Sequence, residues 1–133
     1  MIDYQYIKIC WKKIKAEKGS DAFVDHFYHL LFTNYPETQE LFPNDLVTQK
    51  RTLLTTIDNI INGIEHVQKI KTALLTLGKH HKHLGVTPEM YDAFIVAIVE
   101  AADFASNASL TEDERHTWEK AYREMADIML EAY

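Results

Sequence analysis

The chain has 133 residues, of which 47% are hydrophobic and 26% charged, and its formal net charge at pH 7 is −6. This length corresponds to one domain, so we expect a single domain over residues 1–133 and no second catalytic module such as a fused reductase. The acidic balance has the wrong sign for holding a phosphate backbone, which argues against nucleic acid as a partner.

The sequence does not predict export. Cys10 is the single cysteine and cannot form an internal disulfide, which fits a reducing compartment. The opening residues lack the basic start and unbroken apolar run of a secretory signal. The most apolar stretch, Phe94 to Ala102, is interrupted by Glu100 and has about half the length needed to span a bilayer. We therefore expect a cytoplasmic protein with no membrane partner.

The predicted elements are helices, because glycine and proline are sparse and no run shows the alternation of a strand. Ile7, Trp11 and Ile14 recur at helical spacing and predict a first helix from about Asp3 to Glu17.

A second helix is predicted to begin at Ser20, with Phe23, Phe27 and Leu31 on one face. It must end before Pro36, because the residue that precedes proline avoids the helical region. A short turn follows.

Two further helices are predicted in the middle of the chain. One begins at about Thr48, and its apolar face is formed by Leu53, Ile57, Ile60, Ile61 and Ile64. The next covers Val67 to Leu84 and ends at Gly85, which occupies the position of a left-handed C-cap.

The last two helices have clear start signals. Thr87 as N-cap and Pro88 at the first helical position predict a helix that fades near Ser106. Thr111 and Glu114 form the pattern of a capping box at the start of the final helix. The sequence therefore predicts an all-α fold of six helices and one short turn.

Histidine is the residue type that first suggests chemistry, because the chain contains seven. His80, His81 and His83 lie together at the end of a predicted helix. No HExxH or CxxC pattern accompanies them, so a zinc site is not favoured. Histidines at a helix C-terminus also interact with its negative end, so spacing alone leaves open whether they bind a metal.

A larger pattern is formed by short motifs in a fixed order. They are residues 27–32 (FYHLLF), 35–42 (YPETQELF), 49–53 (QKRTL), 81–86 (HKHLGV) and 118–122 (WEKAY). Together they resemble the globin family, and most closely its single-domain bacterial haemoglobins and the haem domain of flavohaemoglobins. The resemblance covers nearly the whole chain and implies a globin fold that encloses one haem b, iron protoporphyrin IX.

On the proximal side, the resemblance implies that His81 binds the haem iron through Nε2, a role that suits neutral imidazole. Its other ring N–H is expected to bond the backbone carbonyl of Leu77, one turn earlier. His80 and His83 are expected to point elsewhere. They are either solvated at the helix end or, for His83, close to a haem propionate.

On the distal side, the resemblance implies that Tyr28 and Gln49 donate hydrogen bonds to a bound diatomic ligand. Leu53 lies one turn beyond Gln49 on the same helix face and would form the apolar gate over the iron. From the residues alone, other roles stay open. Tyr28 would suit a structural hydrogen bond, Gln49 a solvent-facing position and Leu53 the core.

The resemblance also assigns residues to the haem pocket walls. Phe42 matches the phenylalanine that packs flat on the porphyrin, and the other expected lining positions are Phe27, Phe32, Val86, Tyr91 and Phe94. An aromatic stripe at helical spacing also suits an ordinary core, so these residues serve either purpose.

One position departs from the flavohaemoglobin pattern. There, a glutamate in the last helix and the tyrosine that matches Tyr91 support the proximal histidine. In this sequence the place of the glutamate falls on Tyr133. Glu131 is two residues away and would point about 200° around the helix, so we expect no carboxylate at this place.

The resemblance implies reversible binding of O2, NO and CO, as in oxygen binding or transport. The alternative is a nitric oxide dioxygenase, which would need a separate reductase to return the electron. A gas sensor ranks third, because a sensor needs an output domain or partner surface.

Overall fold

The computed structural model describes residues 4–42, 45–107 and 109–133. Over these residues the chain forms α-helices and two short 3-10 segments, Pro36–Leu41 and Ile64–His66, without a strand. The helices are α1 (Tyr4–Ala16), α2 (Ser20–Asn34), α3 (Val47–Gly63), α4 (Val67–Leu84), α5 (Pro88–Ala105) and α6 (Glu112–Leu130). The prediction of an all-α fold is confirmed.

Helix ends are set by the local signals in the sequence. Gly85 has a φ of 94° and closes α4 through its backbone N–H, which bonds the Lys82 carbonyl at 3.1 Å. The capping box of α6 is complete, with Thr111 and Glu114 each accepting the other's backbone N–H. Thr87 precedes α5 as predicted, but its side chain makes no capping bond. The predicted start of α1 at Asp3 lies outside the described residues.

The core is organised around α5, which packs against α2 and α6. Much of its buried face is small, with Ala93, Ala97, Ala101 and Ala102 at most 3% exposed. Small side chains allow the neighbouring helix backbones to approach closely. The aromatic and aliphatic side chains of α2 and α6, such as Phe23 and Trp118, fill the space beside them.

The contact between α4 and α6 is closer still. At Gly78 an added Cβ would overlap the backbone carbonyl of Met129, so only glycine fits this crossing without displacing a helix. The crossing lies about two turns before the C-terminal end of α4 and fixes the position of that end against α6.

The buried residues of α3 lie in its second half. Ile57 and Ile61 are its buried residues, and the Trp11 indole N–H donates to the Asp58 carboxylate at 2.7 Å. Burial would raise the pKa of Asp58, but the hydrogen bonds from Trp11 and Lys15 bring it below its ordinary value. The first half of α3, Val47 to Thr56, has no fully buried side chain.

None of the helices in the described part of the chain combines the length and apolarity needed to cross a membrane.

Candidate functional site

A cavity of about 290 Å³ lies between the first half of α3 and the helices α2, α4, α5 and α6. Because protein interiors are close-packed, a space of this size is a candidate binding site rather than a packing defect. It brings together most of the predicted site residues: Phe27, Tyr28, Phe42, Gln49, Leu53, Leu77, His81, Val86, Tyr91 and Phe94.

Two predicted residues do not line this cavity. Phe32 is half-buried one layer behind it, with its ring centroid 5.6 Å from those of Tyr28 and Phe42. His83 is exposed on the outer side of α4. His80, which we expected to point elsewhere, lines the cavity together with Leu84, one turn further along α4. The sequence signal for His80 was this spacing of four.

His81 is half-buried, and its Nδ1 lies 3.1 Å from the Tyr91 hydroxyl. Burial lowers the pKa of His81, and the neighbouring His80 lowers it further, so the imidazole is neutral. In the tautomer that protonates Nδ1, this N–H donates to the Tyr91 oxygen. The Nε2 lone pair is then free to bind a metal.

The partner of Nδ1 differs from the expected one. The expected partner is the Leu77 carbonyl, whereas in the structure Nδ1 lies 3.1 Å from the Tyr91 hydroxyl. Tyr91 comes from α5 and brings a hydroxyl to the ring from outside the helix. Leu77 contributes its side chain to the cavity wall.

Tyr133 packs against Tyr91, on which the His81 contact depends. The two rings meet edge to face with centroids 5.8 Å apart, and the Tyr133 hydroxyl donates to the Val86 carbonyl at 2.8 Å. Burial and the neighbouring Tyr133 raise the pKa of Tyr91, which keeps it a neutral phenol. Thus a tyrosine lies where the resemblance would place a glutamate.

A second pair of polar groups reaches the cavity from α2 and α3. Tyr28 is buried and packs edge-on against Phe42, with ring centroids 5.4 Å apart. Burial raises the pKa of Tyr28 to about 12, and a hydrogen bond with Gln49 offsets part of this rise. Tyr28 therefore keeps its proton at neutral pH, and its hydroxyl can donate a hydrogen bond to a ligand in the cavity.

The lining fits an iron porphyrin on three counts. The wall is mostly aromatic and aliphatic, as a flat apolar macrocycle requires. The neutral imidazole of His81 offers one nitrogen to a metal. His80 and Leu84 are exposed and also line the cavity, so the site opens to solvent, as the charged carboxylates of a porphyrin require.

The fold and site thus define an all-α protein with one neutral imidazole and a separate Tyr–Gln pair on the walls of an apolar cavity. The sequence profile of the globin family matches residues 25–129. The chain belongs to the globin family, which implies a haem cofactor.

Curated relatives agree with this assignment. A globin-like protein of Aquifex aeolicus is 28% identical over 77% of this chain and 73% of its own length. A flavohemoprotein of Pseudomonas aeruginosa is 27% identical over 87% of this chain. The match spans only 30% of that flavohemoprotein's length.

Solved structures show the same fold. A bacterial globin from Campylobacter jejuni superposes with a TM-score of 0.81 at 24% identity, covering 97% of this chain and 92% of its own. An engineered carbene transferase derived from a putative nitric oxide dioxygenase of Rhodothermus marinus gives a TM-score of 0.79 at 21% identity. Coverage is 99% of this chain and 94% of that one.

Proposed function

We propose that this protein binds haem b in the cavity and uses it to bind O2, NO and CO reversibly. The observation that carries the proposal is the contact between His81 Nδ1 and the Tyr91 hydroxyl, because with Nδ1 as the donor it leaves the Nε2 lone pair of a cavity-lining imidazole free. Haem, when bound, supplies the iron site at which a diatomic gas is coordinated. His81 would hold that iron.

The other lining residues orient the ligand and exclude water. Tyr28 and Gln49 would donate hydrogen bonds to a diatomic ligand that carries partial negative charge, which slows its release. Leu53 would close the space above the ligand with an apolar side chain. Phe42, Phe27, Phe94 and Val86 supply the apolar wall against which the porphyrin packs.

The test is the visible absorption spectrum of the purified, haem-supplied protein, oxidised, reduced, and reduced with CO or O2. The wild type is expected to bind one haem and to change its spectrum on adding either gas. His81→Ala should lose tight haem binding, because it removes the only side chain proposed to bind iron. His83→Ala is the matched control on the same helix and should behave as the wild type. Equal haem binding by His81→Ala would refute the proximal assignment.

A second candidate function is nitric oxide dioxygenase activity, which the resemblance to the haem domain of flavohaemoglobins implies. The overall reaction joins NO, O2 and one electron to give nitrate, so every turnover needs an electron from outside the cavity. A separate cytoplasmic reductase would supply it. Consumption of NO with equal formation of nitrate, sustained by NADH and a flavin reductase, would support this role. A single turnover that then stops would leave gas binding as the function.

A further inference from the structure

The outward face of α4 carries positive charge that no carboxylate on the same helix balances. The chain has no Asp or Glu between residues 65 and 89, although its net charge is −6. Among the described residues, no lysine of α4 lies within ion-pair distance of a carboxylate. We define the cationic face by Lys71, Lys79 and Lys82, which lie within about 80° of one another around the axis of α4.

Helix stability does not explain this charge. Cations stabilise the C-terminal end of a helix, which accounts for Lys82 and the histidines beside it. Lys71 and Lys79, however, lie between the first and last turns of α4, where the effect of the helix dipole has faded. The dipole therefore accounts for only one of the three lysines of the cationic face.

The cationic face lies directly outside the candidate haem site. α4 contributes His81 and Leu77 to the cavity wall, while Lys79 and Lys82 are exposed and do not line it. An α-helix is about 10 Å across, so only this thickness separates the cationic face from the cavity. These lysines thus remain available to a partner whatever occupies the cavity.

We propose that the cationic face docks an acidic protein that carries a one-electron redox group and delivers electrons across α4. This rests on the proposed function, because the electron is needed only if haem occupies the cavity. Opposite charges concentrate such a partner at the face and raise its association rate. An anionic membrane is a poorer fit, because membrane-surface helices turn an apolar side outward. In α4 the apolar side faces inward, with Leu74 buried.

The test mixes the haem-loaded, oxidised protein with a reduced plant-type [2Fe–2S] ferredoxin of strongly negative net charge. The double variant Lys79→Glu/Lys82→Glu should be reduced about tenfold more slowly at low ionic strength, and the difference should shrink at about 0.5 M salt. The control Lys12→Glu/Lys120→Glu changes net charge equally at exposed positions on α1 and α6. It should stay within about twofold of the wild type. At about 0.5 M salt, where charge effects are screened, dithionite should reduce all three proteins at one rate.

A second readout separates docking from haem chemistry. Amide chemical shifts of the isotope-labelled protein should change along α4 when oxidised ferredoxin is added at low salt, whether or not haem is bound. Equal slowing of both charge variants, or shift changes on another face, overturns the proposal. Binding to phosphatidylglycerol vesicles without a ferredoxin footprint would assign the face to a membrane and also overturns it. Failure to bind haem, with the footprint intact, refutes the proposed function and leaves the docking surface standing.

Discussion

The two walls of the cavity are held in different ways. The wall that carries His81 is fixed by a glycine crossing at Gly78, by Tyr91 on the imidazole and by Tyr133 on the Val86 carbonyl. The opposite wall is the first half of α3, residues 47–56, which has no fully buried side chain.

The difference indicates how the site divides its tasks. A metal-binding imidazole needs a fixed ring orientation, which contacts from α5 and α6 provide. Opposite His81, α3 has its buried residues, Ile57 and Ile61, in its far half, whereas its first half is held to α2 by the Lys50–Asp25 ion pair and the Tyr28–Gln49 hydrogen bond. The first half therefore opens at a lower free-energy cost than the buried half.

The largest effect on stability is expected at Gly78, where α4 crosses α6. Gly78→Ala should lower the free energy of unfolding by about 1–3 kcal/mol, because the new methyl group meets the Met129 backbone and not a movable side chain. Gly63→Ala is the matched control, since its methyl group would meet only the end of the Ile70 side chain. Urea unfolding of both variants measures the difference. Equal losses of unfolding free energy in the two variants would contradict a close backbone contact at Gly78.

A smaller loss of unfolding free energy is expected at Tyr133, which packs against Tyr91. Tyr133→Phe removes the hydrogen bond to the Val86 carbonyl and should cost about 1 kcal/mol in unfolding free energy. Gas dissociation should change little, because Tyr133 does not line the cavity. Tyr35→Phe, at an exposed tyrosine, should leave both quantities unchanged. If Tyr133→Phe altered gas kinetics but not unfolding, the two walls would not divide their tasks as described.

On the α3 side the pattern should reverse. Tyr28→Phe is expected to raise the O2 dissociation rate about tenfold, which corresponds to one lost hydrogen bond of about 1.4 kcal/mol. Its unfolding free energy should fall by no more than about 1 kcal/mol, since only the hydrogen bond with Gln49 is lost and the ring keeps its packing on Phe42. Flash photolysis and stopped-flow displacement of O2 by CO provide the rates. An unchanged rate would remove Tyr28 from the ligand site.

The narrowest prediction concerns alkaline pH. The folded-state pKa of Tyr28 is about 12 against an ordinary value of 10, so the folded protein holds this proton more tightly than the unfolded chain. Its contribution to stability is complete below pH 10 and is lost as pH rises to 12. The stability difference between wild type and Tyr28→Phe should therefore be flat up to pH 10 and shift against the wild type above it. A constant difference across this range would contradict the buried phenol.

Local signals predicted the helices well. The capping box at Thr111 and the glycine C-cap at Gly85 act within one turn, so the sequence alone reveals them. The side chains that meet across helices were harder to predict. His80 and His83 differ by three residues on one helix, and only the packing of α4 decides which lines the cavity.

The same limit applies to the support of His81. The family resemblance predicted His81 as the iron ligand. The contact between His81 and Tyr91, however, joins α4 to α5. The hydrogen bond of Tyr133 joins the chain beyond α6 to the connection between α4 and α5. Neither contact follows from periodicity, because both depend on how the helices are placed relative to one another. The short 3-10 segment after Gly63 was missed for a similar reason, since the apolar spacing continues through Ile64.

The space beneath the first half of α3 has one more consequence. With haem bound as proposed, the cofactor fills a space that side chains fill elsewhere in the core. Because haem would bind the folded chain and not the unfolded chain, its binding free energy would add to the free energy of unfolding. A chain made without haem would keep this segment open to proteases, whereas a loaded chain would not. The amount of this protein in a cell would then follow the haem supply, even at a constant rate of synthesis.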